Sequence, residues 1–352
     1  MGIKQSLKQQ VQRSTLIWGS YQTIKAQANR VRTAAFYWYD AGRSWRYMIW
    51  RPTNHARWAL SSELLFQYHK LEKGLVIPGK HRLFGTDPVR ATMALMRRWE
   101  AAGHPTSDPI YRGACSTVSC YRAALQARGL DRESPALDQI DRFLAERQPT
   151  LAAGPMTTPV PLAAPGNAAA GSWQAFEALS VARRSVRDFS SQAVPGELVQ
   201  EAVRVAALSP SACNRQPNKV ILIEGREDID RALAFQNGNR GFGHKVPLLA
   251  VLVVDSTGYF DGSERNQAYV DGGLFAMSLM FALRALGLGS CSLNWCVTPA
   301  TDRAFRKLGH VKDQETIMMM LAIGYPPEAV TVPLSPRRHA DEVIRWSKGG
   351  RV

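Results

Sequence analysis

The sequence predicts a mixed α and β chain, in α/β or α+β order, with a helical N-terminal region ahead of a C-terminal domain. Three observations predict it. The C-terminal half alternates apolar strand-like runs with helical segments. Residues 148–176 carry no charge and hold Pro149, Pro155, Pro159, Pro161 and Pro165 among Ala, Gly and Thr, the composition of a semi-extended linker. The stretch ahead of that linker is rich in helix-start signals and shows no strand pattern. The expected organisation is a basic, aromatic-rich helical arm over 1–60, a helical region over 61–148, a linker over 149–172 and a domain over 173–352.

Taken in order, 61–148 offers three helices: "SSELLFQYHKLEKGL", "DPVRATMALMRRWEAAG" and "SPALDQIDRFLAERQ". The first and last open on Ser and the second on Asp-Pro, residues that favour helix starts. In the C-terminal domain a helix is expected at Pro195–Ala207, with Pro195 near its start. "KVILIE" reads as a strand, and "VPLLAVLVVD" as one buried on both faces. Asn266–Leu286 reads as a long helix, apolar nearly all round and so expected to be buried on every side, a subunit interface included. "SCSLNWC" and "ETIMMMLAIGYP" read as further strands around a helix at Pro299–Leu308.

The chain of 352 residues has a net charge of +15, unevenly spread. Residues 1–60 hold ten Lys or Arg against Asp40 alone, whereas 151–352 hold 21 basic and 18 acidic residues. Five tryptophans, Trp18, Trp38, Trp45, Trp50 and Trp58, share that basic arm. Five cysteines, at spacings that fit no common zinc pattern, read as free thiols and predict no metal. The N-terminus lacks the apolar run of a signal peptide, and Gly272–Leu283 is too short to span a bilayer, so a cytoplasmic protein is expected.

Three motifs could carry chemistry. "ARRSVRDF" packs Arg183, Arg184, Ser185 and Arg187 at a helix end, where guanidinium forks and a hydroxyl suit phosphate; a solvated charge run is the plainer reading. "SPSACNRQPNKV" is polar, uncharged but for Arg215 and Lys219, and stiffened by Pro210 and Pro217. Asn214 and Gln216 could read the edge of a heteroaromatic ring, against the plainer reading of a strand-entry turn. "SPRRHADEV" supplies a second basic pair, Arg337 and Arg338. Two such pairs framing a polar loop and the Gly-rich turn at Gly287 and Gly289 suit a ring cofactor that bears phosphate.

The order "RRSVRDF", "PSACNRQP", "GLGSC", "AIGYP", "PRRHADEV" resembles the nitroreductase family of FMN-dependent oxidoreductases over about residues 173–352. The resemblance implies a homodimeric α+β fold, a three-layer α/β/α domain with FMN at each of two subunit interfaces. It implies that Arg183, Ser185 and Arg187 contact the FMN phosphate and ribityl chain, with Arg184 in the same patch. It also implies that Pro210, Ser211 and Asn214 approach the flavin from the partner subunit, with Gln216 close by. The backbone near Ser290 would lie against the ring, and either Arg337 or Arg338 would complete the phosphate clamp. The implied chemistry is a ping-pong transfer of hydride from NAD(P)H through the flavin to a small-molecule acceptor, with no side-chain nucleophile or base. Asn218 follows the Gln-Pro where many members carry an aromatic residue. The segment "STGYFDGSERNQ" is short where members differ in their substrate lid, which leaves the acceptor open. Flavin-fragmenting or dehalogenating chemistry on the same fold, and a non-catalytic flavin-binding scaffold, are the alternatives.

The N-terminal half lies outside that resemblance. "YHKLEKGL" is similar to a segment of nitroreductase-like proteins associated with polysaccharide biosynthesis. There His69, Glu72 and Lys73 read as a surface ion-pair cluster or, more sharply, as a proton donor folded over the flavin. The basic arm has several readings: a helical extension packed over the dimer, contact with an anionic membrane at its inner face, or attraction of an acidic glycan. No nucleic-acid motif accompanies it, and nucleic acid is not expected as a partner.

Overall fold

The computed structural model describes residues 15–77, 85–130, 136–152, 159, 169–333, 335 and 337–347. Lys4, Lys8 and Arg13 of the arm and most of the 149–172 linker therefore lie outside the described residues.

The helical part begins with α1 (Thr15–Tyr47), α2 (Arg57–Val76) and α3 (Thr86–Ala101). It continues with α4 (Pro109–Ala127), α5 (Ala136–Ala145) and the short α6 (Gln148–Ala152). Helix α4, "PIYRGACSTVSCYRAALQA", is absent from the sequence reading although its start is well marked. Asp108 caps it by accepting from the Ile110 N–H at 2.9 Å, and Pro109 occupies the first turn. Its small residues Gly113 and Ala114 let α2 approach closely. A Cβ on Gly113 would stand 3.2 Å from the Tyr68 hydroxyl. Leu64, Leu71, Met96, Trp99, Tyr111, Val118 and Leu125 form one buried core across α2, α3 and α4. That core lies within the N-terminal helices. Burial pushes the thiol of Cys115 within it up to about 11, which leaves it inert at neutral pH.

The C-terminal domain opens with α7 (Ala169–Ala182) and α8 (Gly196–Ala206), followed by β1 (Asn218–Ile223) and α9 (Arg226–Leu233). Then come β2 (Leu248–Asp255), α10 (Gln267–Ala285), β3 (Gly289–Asn294), α11 (Pro299–Arg306), β4 (Glu315–Gly324) and a short α12 (Ala340–Val343). Among the described residues the sheet has four strands in the order β1-β2-β4-β3, antiparallel throughout.

Strand β2 is buried along its whole length, as its unbroken apolar run predicts. Its side chains alternate. Leu248, Ala250 and Leu252 join Val199, Ala202, Phe275 and Leu279 of α8 and α10 in one core. Leu249, Val251 and Val253 join Ile229, Leu233 and Phe305 of α9 and α11 in the other. The sheet is thus the middle of three layers, an α+β fold with N-terminal helices. Within one chain helix α10 is covered on one side: Tyr269, Val270, Leu274 and Met277 are exposed, alongside Trp173 and Phe176 of α7. The reason is that the sheet and α8 cover only one side of the helix.

Candidate functional site

The expected site residues gather at two places rather than one. The first is the arginine corner. The "RRSVRDF" segment leaves the end of α7 and runs beside the start of β3, where Ser185 bridges Ser290 in parallel and the Val186 N–H donates to the Ser290 carbonyl at 3.0 Å. Two glycines make this close approach sterically allowed. A Cβ on Gly289 would stand 2.9 Å from Val186, and one on Gly324, the glycine of "AIGYP", 2.7 Å from Pro247 and 2.8 Å from Phe189.

Burial, with Arg184 and Arg337 close by, holds the Arg183 guanidinium below its ordinary pKa. Among the described residues no carboxylate pairs with Arg183, Arg184 or Arg187. Asp188, the acid nearest in sequence, is engaged by Lys245 at 2.8 Å. Arg183, Arg184 and Arg187, with no carboxylate paired to them among the described residues, form a basic patch that a phosphate would neutralise. Arg187 is exposed and lies near Cys291, whose thiol is raised by burial and partly offset by that charge. The structure also separates the second basic pair. Both are exposed; the charge of Arg337 bears on Arg183, while Arg338 pairs with Glu342 at 3.1 Å.

The second place is the polar loop. Cys213, Asn214 and Gln216 all adopt left-handed backbone conformations, with φ of 50°, 54° and 53°. Each costs a non-glycine residue roughly 1–3 kcal/mol, so the loop persists only because its surroundings over-determine it. Several contacts do so. The Gln216 N–H donates to the Ser211 hydroxyl at 2.9 Å, and the Gln216 amide donates to the Asn214 Oδ1 at 3.2 Å. The Ala212 N–H donates to Asp271 at 3.1 Å. Asp271 is buried in α10 and also accepts from the Tyr259 hydroxyl at 3.0 Å and the Gln267 amide at 2.8 Å. Ser209 reaches Ser278 at 2.7 Å.

Beneath the loop the Arg215 side chain is fully buried. It binds Glu264 through both guanidinium nitrogens and lies over the rings of Trp50, Phe66, Tyr259 and Phe260. Trp50 and Phe66 belong to the N-terminal part, so that part is built into the underside of the loop. Arg215, Glu264 and Asp271 escaped the sequence reading. An arginine flanked by polar residues looks like surface, and only the distant aromatic residues reveal its enclosure.

Helix α2 packs directly against the loop. His69 bonds Glu72, Nδ1 to Oε2, at 2.9 Å. Lys73 is exposed. Lys70 is the cation beside Cys213, its Nζ 3.9 Å from the Phe66 ring centre and bonded to the Gln67 amide oxygen at 3.2 Å. Burial lowers its pKa, the thiol of Cys213 pulls it back up, and Lys73 adds to the lowering. Beside the loop a cleft of about 540 Å³ is lined by Trp58, Val203, Ser209, Gln216, Lys219 and Phe275. The Trp58 indole N–H and the Asn218 Oδ1, both at this cleft, are buried without a hydrogen-bond partner among the described residues. Buried polar atoms of that kind call for a polar group supplied from outside the chain.

The two places occupy diagonal corners of the sheet. Ser290 aligns with Ile323 and Leu248 at one end, whereas Asn218 aligns with Val254 and Thr316 at the other. Three interstrand steps and about six residues along a strand place them about 25 Å apart.

Comparison with known proteins agrees with this layout. The family model described as "Nitroreductase family" matches residues 181–237 and 230–325, which span both places and the sheet between them. A Streptomyces griseus protein named NADH dehydrogenase/NAD(P)H nitroreductase is 27% identical over 183 residues, 46% of this chain and 90% of that protein. An iodotyrosine deiodinase of Haliscomenobacter hydrossis is also 27% identical, over 191 residues, 46% of this chain and 84% of that protein. Among solved structures, a nitroreductase family protein from Streptococcus pneumoniae is 22% identical with a TM-score of 0.41, covering 49% of this chain and 100% of that one. Residues 181–325, which hold the arginine segment, the polar loop and the sheet between them, match the nitroreductase family.

Proposed function

We propose that this protein is an FMN-dependent oxidoreductase that takes reducing equivalents from NAD(P)H and passes them to a small-molecule acceptor, acting as a homodimer. One observation carries the reading. The basic corner and the strained polar loop sit about 25 Å apart in one chain, too far for a single mononucleotide to touch both. A twofold pairing that lays the loop of one protomer over the arginine corner of its partner resolves this. The exposed apolar face of α10 and α7 is the surface such a pairing would cover.

The residues present suit FMN. Arg183, Arg184 and Arg337 supply converging charge for a phosphate, with Ser185 and Arg187 on the same segment. Of Arg337 and Arg338, Arg337 is the proposed clamp residue, because its charge bears on Arg183. The backbone at Ser290 gives a flat wall, which Gly289 keeps free of a side chain on its inner side. From the partner, Pro210, Ser211, Asn214 and Gln216 present a stiff polar edge, uncharged except for the inward-turned Arg215. Bound FMN would supply two-electron transfer. The chain would bind and orient the cofactor, shield it from bulk water and hold charge near it. Lys70 stands where it could stabilise negative charge on an acceptor or on the reduced cofactor.

The test is the absorbance spectrum of the purified or FMN-reconstituted protein, followed by titration with NADH and NADPH. A yellow protein bleached by either nucleotide is expected. A protein that takes up no added FMN would overturn the reading. A second reading, reductive dehalogenation, is favoured by the similarity to iodotyrosine deiodinases. It uses the same cofactor with a different acceptor, and halide release from a halotyrosine under reducing conditions separates the two.

A further inference from the structure

Helix α1 is docked along only part of its length. Its C-terminal half is fixed to the domain. The Tyr39 hydroxyl donates to Asp302 at 2.6 Å, Arg43 donates to the Glu315 carbonyl at 2.9 Å, and Met48 is buried with Val254, Tyr259 and Ala268. Ahead of Phe36 the helix leaves the body: from Ile17 to Ala35 every residue except Trp18 is exposed. That is about 27 Å of helix standing clear of the C-terminal domain among the described residues. A helix in water draws most of its stability from a packed apolar face, so a projecting one implies a surface that receives it.

The exposed side of α1, along both its projecting and its docked parts, is not uniformly polar. Ile17, Ile24, Val31, Trp38 and Trp45 recur every seven residues and are 56%, 69%, 72%, 78% and 88% exposed. A seven-residue repeat on a straight helix drifts by about 20° per repeat, so these five side chains fall within an arc of about 80°. Basic residues flank the arc, with Lys25 and Arg32 on one side and Arg30 on the other, while Arg46 lies near its C-terminal end. Long basic side chains of this kind can lay their stems along an apolar stripe and keep their charges at its rim. No acid neutralises them. Arg30 bonds the Gln27 amide at 3.4 Å and Arg32 the Asn29 amide at 2.9 Å, and Asp40, the helix's acid, lies on the docked part. The sequence ahead of the helix adds Lys4, Lys8 and Arg13 and no acid.

We infer that α1 is a membrane-surface anchor, which lays its Ile/Val/Trp stripe into the interface of an anionic lipid bilayer while its basic rim engages lipid headgroups. The seven-residue repeat would also suit pairing with a second copy of this helix. The charge decides between them: two copies would bring like-charged rims together with no acid to compensate, whereas an anionic headgroup layer compensates all of them. Trp38 and Trp45 fit the same choice, since an indole combines an apolar body with a donor that suits the headgroup level. No helix among the described residues is long and apolar enough to cross a membrane, so contact would be along the surface.

The test is co-sedimentation of the full chain with vesicles of phosphatidylcholine alone and of three-to-one phosphatidylcholine and phosphatidylglycerol. Binding is expected only to the anionic vesicles, with a blue shift of tryptophan emission and weakening as salt is raised. Trp38→Ser with Trp45→Ser should weaken binding at least about tenfold, the loss of two interfacial side chains. Lys25→Gln with Arg30→Gln and Arg32→Gln should weaken it about a hundredfold. All five positions are exposed, so the circular dichroism and melting of both variants should match the parent. The salt titration of the unaltered chain tests the idea without any substitution. Equal binding to both vesicle types, no binding to either, or binding that neither variant changes would overturn the proposal. Sedimentation equilibrium showing an assembly that Trp38→Ser with Trp45→Ser dissociates would overturn it in favour of a second copy.

Discussion

The buried Arg215 guanidinium holds both carboxylate oxygens of Glu264, one of them at 2.9 Å, within an enclosure of four aromatic rings drawn from both halves of the chain. This pair is the keel of the polar loop, since Arg215 stands between Asn214 and Gln216, two of the left-handed residues. Arg215→Ala leaves a carboxylate unpaired beside the rings and is expected to destabilise the fold by about 3–5 kcal/mol. Arg215→Lys keeps the charge but loses the fork, and should weaken FMN retention with a smaller stability loss. Thermal melting and FMN dissociation constants of both variants check this.

The same enclosure fixes what a truncation should do. Removing residues 1–35 takes away only the projecting part of α1, and flavin binding should be unchanged. Removing residues 1–60 also deletes Trp50, which donates to the Thr257 carbonyl at 3.1 Å, and Trp58, which stacks on Lys219 at 4.2 Å. Flavin loss from the second truncation and not the first, read by fluorescence of the filtrate, is the expected pattern.

At the arginine corner, Arg183→Ala and Arg337→Ala should each weaken FMN binding by about ten- to a hundredfold, the worth of one charge-assisted phosphate contact. Arg231→Ala is the control. Arg231 is exposed and its partner Asp228, 3.2 Å away, lies on the same helix, so its loss should leave FMN affinity within about twofold. Equilibrium titration of the apoprotein distinguishes these outcomes.

Lys70 should discriminate among acceptors. Lys70→Gln is expected to raise KM for 4-nitrobenzoate about fivefold, a charge interaction of about 1 kcal/mol, while leaving nitrobenzene unchanged. Paired steady-state assays on one holoenzyme preparation give the comparison.

Docking of α1 should weaken in acid. Burial pushes the Asp302 carboxyl up, but hydrogen bonds from Arg306 at 2.7 Å, Tyr39 at 2.6 Å and Trp295 at 2.8 Å together outweigh it and hold the group below the ordinary carboxylate value. A folded pKa below the unfolded one contributes stability that is complete above the unfolded value, near about 4, and is lost as pH falls through the folded value. The difference in Tm between the parent and Asp302→Asn is therefore expected to be constant near neutrality and to shrink below about pH 4.

Much of the architecture was legible because its signals are local. The unbroken apolar run of β2, the Pro-started helix α8 and the Gly-ended helix α10 each declare themselves within their own residues. Helix α4 did not, because Gly113, Cys115, Ser116 and Thr117 blur its apolar stripe. The solvent-facing side of α10 was also hidden, since a helix apolar all round carries no mark of which side its own chain covers.

For the site, the sequence by itself determined the chemistry available: a basic segment, a stiff polar loop, a Gly-rich turn and a charged, tryptophan-rich arm. Only the tertiary structure decided which of those groups meet. It set the charge of Arg337 near Arg183, brought Lys70 beside the loop, and sank Arg215 among rings from sequence-distant segments. The physical reason is that residue type and local period fix what a side chain can do and which helix or strand it joins. Direction and company are set by packing between elements far apart in the chain, which no local pattern encodes.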